Sequence, residues 1–118
     1  MEKTQADKFN KLPEGLAETT YKSWTDKWGD LVRLVEVPIN KEETDLVTLV
    51  IRSPENDRNV CGAIENQIDR NLNQARITAI NNCVLFGKDL VLDNNFAFRA
   101  ASSYIFEQIP NGRAYVKN

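Results

Sequence analysis

The chain contains no histidine, only two cysteines and five glycines, and no apolar run long enough to cross a bilayer. Each shortage narrows what the protein can do. Without histidine, the commonest general base and a principal zinc ligand are both missing. Cys61 and Cys83 stand far apart and neither belongs to a Cys-x-x-Cys pair, so a zinc site lacks ligands. Both fall on apolar helical stripes, where a thiol is buried and inert; whether they pair stays open. Gly62, Gly87 and Gly112 are isolated, so no glycine-rich loop can cradle a phosphate. Ser102 and Ser103 lack a nucleophile elbow and a lysine or histidine partner. Asp89 and Asp93 flank Leu-Val-Leu, which is too few oxygens for a calcium loop. Glu42, Glu43 and Asp45 crowd one short connection and read as a solvated turn or a weak cation site. No catalytic, metal or cofactor residue is therefore assigned, and a non-enzyme is expected.

One sign of charge is not in excess either. Fifteen basic side chains oppose 17 acidic ones, spread evenly along 118 residues. Without a basic stripe, nucleic-acid binding has no electrostatic drive. Residues 1–8 have no apolar core of the export-signal type, and no membrane segment is expected, so the expected location is cytoplasmic.

What the sequence does contain is a pair of β-branched runs, Leu31-Val32-Arg33-Leu34-Val35-Glu36-Val37-Pro38-Ile39 and Leu46-Val47-Thr48-Leu49-Val50-Ile51-Arg52, joined by a polar stretch. Such a pattern predicts an antiparallel hairpin. A loop at 40–43 sets Val37 opposite Leu46 and Val35 opposite Thr48 on one face. It sets Leu34 opposite Leu49 and Val32 opposite Ile51 on the other. Both faces are apolar, so helices on one side leave the second to more helix, another strand or another molecule.

Around the hairpin the spacing is helical. Ala17, Tyr21, Trp24 and Trp28 form an amphipathic stripe closed by Gly29, and that stripe is expected to cover one hairpin face. Ser53-Pro54-Glu55 reads as a helix start with Ser53 as cap. Val60, Cys61, Ile64 and Ile68 mark one helix, and Leu72, Ala75, Ala79, Ile80, Cys83 and Val84 a second that runs to about Leu85. The break is placed near Asp69-Arg70-Asn71 with Asp69 as cap; one bent helix fits as well. Leu90-Val91-Leu92 reads as a short, extended bridge. Asp93 or Asn94 caps a last helix with Ala97, Ala100, Ala101, Tyr104, Ile105 and Ile109 inward, ended by Pro110-Asn111-Gly112. Thirteen asparagines, 11 of them from Asn56 onward, fit a biased coding genome or an uncharged partner-facing surface, and no single one is given a role. The expected fold is α+β: an N-terminal helix, an antiparallel β-hairpin, then three helices packed on it. Residues 1–13 read as a flexible N-terminal tail, 14–110 as a single domain, and 111–118 as a C-terminal tail or an added strand.

The order of features from Trp28 to Ile109 resembles the small tail assembly chaperones of tailed phages and prophages. The residues that carry the resemblance are Trp28-Gly29-Asp30 ahead of the hairpin and Val50-Ile51-Arg52-Ser53-Pro54 with Arg58 shortly after. They continue with Asn81-Asn82-Cys83-Val84-Leu85-Phe86-Gly87-Lys88-Asp89 at a helix end and Asp93-Asn94-Asn95-Phe96 at the start of the last helix. Two positions depart from the pattern: Lys88 intrudes between glycine and aspartate, and Phe86 occupies a position that is often small. The resemblance implies a non-enzymatic role, in which the chain binds tape measure or tail tube protein and promotes tail assembly without remaining in the particle.

The partner-binding residues expected are Val35, Val37, Leu46 and Val50 on the hairpin, with Phe98 and Phe106 on the last helix; self-association through the hairpin is a further expectation. Two other readings stand beside it. One is a structural virion or small adaptor protein that oligomerises through the hairpin. The other is a small enzyme or ligand-binding domain, which needs a pocket collecting Tyr104, Glu107, Asp89 or Glu65.

Overall fold

The computed structural model describes residues 12–117. Helix α1 (Glu18–Trp28) stops at Gly29, whose φ of 62° is open to glycine and costly for other residues. A single 3₁₀ turn, Gly29–Leu31, then feeds strand β1 (Val32–Pro38). Strand β2 (Leu46–Arg52) returns antiparallel to it, and a third strand, β3 (Val84–Phe86), pairs antiparallel with the far side of β2. The sheet order is β1-β2-β3, which leaves β1 on an edge.

The hairpin register differs from the expected one by a single residue. Val35 lies opposite Leu49, Val37 opposite Val47, Leu34 opposite Val50 and Val32 opposite Arg52. The connection causes the shift. Ile39 N–H donates to the Asp45 carbonyl, so the loop is 40–44 rather than 40–43. Within it the Asn40 side chain accepts from the Thr44 and Asp45 amides and donates to Thr44 Oγ1 and the Asp45 carboxylate. An asparagine that replaces backbone turn bonds lengthens the loop and moves every pair by one.

With that register the two faces separate cleanly. Val35, Val37, Ile39, Val47, Leu49 and Ile51 point to the helical layer and belong to or pack on the main core. On the other face, Val32 and Val50 are buried, Leu34 and Thr48 are half-buried, and Glu36 and Leu46 are exposed. Helix α1 lies on that outer face: the Arg52 guanidinium stacks 5.1 Å from the Trp28 ring, and Gly15 sits against Phe86. The aromatic stripe thus covers the second face, as adjacent apolar elements generally do.

Helix α2 (Arg58–Ile68) starts at Asp57, whose carboxylate accepts from the Val60 amide. Ser53 is therefore not its cap. Its hydroxyl donates to Glu55 at 2.6 Å and accepts from the Glu55 amide, forming a turn one step upstream of the helix. The break after α2 falls where expected, but Asn71, not Asp69, caps α3 (Leu72–Cys83).

Helix α3 ends at Cys83 rather than Leu85, because Val84-Leu85-Phe86 takes the free edge of β2. β-Branched and aromatic residues gain more from that pairing than from another half-turn of helix. Gly87, at φ 96°, then turns the chain into α4 (Lys88–Asp93), six residues that replace the extended bridge expected there. The helix buries Val91 completely and leaves Leu90 and Leu92 exposed, a spacing that alternation in a strand mimics over three residues. Asn94 caps α5 (Asn95–Glu107) through the Ala97 amide, and its Nδ2 donates to the Ile39 carbonyl at 3.1 Å, joining the helix start to the hairpin. The architecture is the expected α+β one, with four helices after the hairpin in place of three. The expected tail at 1–13 falls mostly outside the described residues; 111–117 form no helix or strand and are exposed. Among the described residues, no helix is long and apolar enough to cross a membrane.

Candidate interaction site on the free edge of the sheet

The ladder bonds at the two ends of the hairpin, Ser53 N–H to the Leu31 carbonyl and Ile39 N–H to the Asp45 carbonyl, both use odd-numbered residues of the first strand. Antiparallel pairing alternates, so the even-numbered residues of β1 turn their backbone groups away from β2. The Val32 amide is used by the Gly29 carbonyl. The Val32 carbonyl and both backbone groups of Leu34 and Glu36 have no backbone partner among the described residues. Pro38 occupies the next outward position, where its missing N–H costs no ladder bond and ends the open stretch. Five residues of edge, 32–36, are available to another strand.

An open groove of about 560 Å³ runs along this edge, lined by Tyr21 of α1, Asp30, Val32, Arg33, Leu34, Val35, Glu36 and Tyr104 of α5. Its wall is fixed by Arg33. The guanidinium donates to Gln108 Oε1 at 2.8 Å, Tyr104 Oη at 3.3 Å and Glu55 Oε1 at 3.0 Å, while Nε reaches the Asp30 carbonyl. These bonds join the turn before β1, the turn after β2 and the last turn of α5. The Tyr104 hydrogen bond holds the Arg33 guanidinium above its ordinary value. The Ser53 hydroxyl, and then Arg33, hold the Glu55 carboxyl below the usual carboxylate range. Neither Asp30 nor Glu36 forms an ion pair among the described residues, so the groove carries two uncompensated acids.

The six residues expected to bind partners divide. Val37 and Val50 are 2% and 0% exposed and serve as interior residues, one under each face of the hairpin. Neither presents surface in this conformation. Val35 is half-buried and contributes to both the core and the groove. Leu46, at 50% exposure, stands at the open end of the outer face. Phe98 lines a second, shallower groove with Asn73, Ile77, Leu92, Asp93 and Asn95. Phe106 packs half-buried on the core, with the Arg76 guanidinium 5.5 Å from its ring.

The candidate pocket residues scatter: Tyr104 reaches the β1 groove, whereas Glu65, Asp89 and Glu107 are exposed elsewhere. Among the described residues no group of three or more carboxylates or thiols is placed to hold a metal. At the hairpin tip Asp45 is occupied by Asn40. Cys61 and Cys83 are buried and form no disulfide; the Cys61 thiol donates to the Pro54 carbonyl, and burial pushes the Cys83 thiol up to about 11.

The Arg33 cluster was not legible as a site. Its one sequence signal is a charged residue in line with the otherwise apolar inward positions Val35 and Val37, and such a residue requires partners. Arg76 is a similar case on α3, donating to Ser102 and Ser103 of α5 at 2.8 and 3.1 Å. No family model, curated protein or solved structure matches this chain.

Proposed function

We propose that this chain is a non-enzymatic assembly factor of the tail assembly chaperone kind, which holds an extended segment of tape measure or tail tube protein on the edge of β1. The observation that supports this reading is the five-residue open edge beside a groove that is apolar at Tyr21, Leu34, Val35 and Tyr104. Backbone bonds to Leu34 and Glu36 give strand addition its affinity, and the groove selects alternate side chains of the guest. Arg33 keeps the edge rigid, so binding does not have to order it first.

The test is co-expression with tape measure or tail tube protein of a tailed phage, followed by affinity purification and titration calorimetry of the purified pair. Capture that is lost in Leu34→Pro, with Leu46→Lys retaining it, supports binding at the β1 edge. Absence of binding to both proteins by the wild-type chain overturns the proposal.

A further inference from the structure

The same edge has a matching strand within this chain. Residues 113–117 read Arg-Ala-Tyr-Val-Lys: five residues for a five-residue edge, with no acid among them and a cation at each end. Among the described residues they belong to no helix or strand, with Tyr115 and Val116 82% and 86% exposed, although β-prone aromatic and branched residues are ordinarily paired or covered. The last helix ends beside the groove, where Gln108 accepts from Arg33, yet 113–117 form no strand on the chain's own edge.

We propose that residues 113–117 of one copy add as a strand to the free β1 edge of a second copy, joining molecules head to tail. The alternation fits. Arg113, Tyr115 and Lys117 share one face of such a strand, and Val32, Leu34 and Glu36 share one face of β1. With Tyr115 opposite Leu34, either strand direction places one cation beside Glu36 and the other beside Val32, toward Asp30. Ala114 and Val116 then fall on the Val35 side, where a small and a branched residue fit near Tyr104. The contact is heterologous, so a joined pair keeps one open edge on one copy and one open segment on the other, and association proceeds beyond a pair. The inference uses the edge on which the proposed function rests but does not need a tail protein.

The experiment is sedimentation velocity of the full chain over a range of concentrations, with two charge-reversal variants: Arg113→Glu with Lys117→Glu, and Asp30→Lys with Glu36→Lys. The wild-type chain is expected to associate reversibly. Each variant alone is expected to weaken association by roughly tenfold or more, and an equimolar mixture of the two to regain it. Circular dichroism melts confirm that both variants fold. A wild-type chain that stays monomeric, or association indifferent to these reversals, overturns the proposal. So does oxidation of a Leu34→Cys, Tyr115→Cys variant to a monomer crosslinked within its own chain. Failure here with capture of a tail protein intact removes only the self-association; self-association without capture removes only the proposed function.

Discussion

The two faces of the β-ribbon are built from nearly the same residue types and end in different states. On the inner face, Val37, Leu49 and Ile51 are 2%, 1% and 0% exposed, sealed by Ile64, Ile80, Val91 and Ile105 from four helices. On the outer face a single helix among the described residues, α1, covers the end holding Val32 and Val50 and leaves Leu46 open; no residue of α1 is itself fully buried. Apolar content alone does not decide burial. The number of elements that converge on a face does, and the less covered face lies beside the open β1 edge.

That contrast is broken most directly by truncating its inner side. Leu49→Ala removes a buried side chain at the centre of the core and is expected to cost about 2–5 kcal/mol. Urea unfolding followed by circular dichroism reads it as a shifted midpoint at constant slope. A cost below about 1 kcal/mol would mean that the inner face is no better packed than the outer.

Gly87→Ala attacks the same seal from the chain turn beneath it. The residue sits at φ 96°, and an added Cβ lies 2.5 Å from Leu49 Cδ2, so the variant meets both a strained backbone and a crowded core. The two effects together are expected to cost about 2–4 kcal/mol, and Leu49→Ala in the same chain should relieve the crowding part. A double-mutant cycle measures that coupling.

The outer face should yield less. Trp24 is half-buried on α1, and Trp24→Ala is expected to cost about 1–2 kcal/mol, less than half of what full burial of the ring would forfeit. The same denaturant titration decides it. An effect as large as that of Leu49→Ala would place Trp24 in the main core and erase the difference between the faces.

Much of this asymmetry can be read from the sequence, and the parts that cannot share a cause. The hairpin, the aromatic stripe of α1 and the alanine stripe of α5 are legible because each repeats its period over several turns or pairs. A cap at Asp93 or Asn94 is legible because the residues after them begin a long stripe, and the Ala97 amide settles it on Asn94. The register, β3 and α4 have no such repeat to announce them. Asn40 decides the register by bonding to Thr44 and Asp45. Val84–Phe86 becomes a strand only because Val50 and Ile51 offer an open edge. Residues 88–93 are too short for period 2 and period 3.6 to be told apart. The candidate site is the least legible part, since an edge is defined by which strand has no neighbour. Val37 and Val50 were plausible contact residues on hydrophobicity alone, and the helices packed on each face turned them inward.

Each face also has its own arginine, and acid should act on both. Arg33, on the inner face, pairs with Glu55; Arg52, on the outer face, pairs with Asp57 at 3.3 Å and stacks on Trp28. The Glu55 carboxyl is held low chiefly by Ser53, and the Asp57 carboxyl chiefly by the Val60 amide at the start of α2. In the unfolded chain both return to the ordinary range near about 4. The folded state therefore binds fewer protons than the unfolded one in the interval between. The stabilisation is fully present above the unfolded value and is lost as pH falls through the folded one. Thermal melts should accordingly be level from neutral pH down to about 5 and decline below about 4. Because the Arg33 and Glu55 side chains are 34% and 37% exposed and that of Arg52 only 11%, raised salt should flatten the Arg33-dependent part of the decline more than the Arg52-dependent part. The Asp57 contribution, which comes mainly from a backbone amide, should persist. Comparing Glu55→Gln with Asp57→Asn across the same pH range separates the two: both should lower stability at neutral pH and lessen the acid decline, and the effect of the second, which rests chiefly on the Val60 amide, should be the less altered by salt. Equal pH profiles for the two variants would show that neither carboxyl is tied to one face of the ribbon.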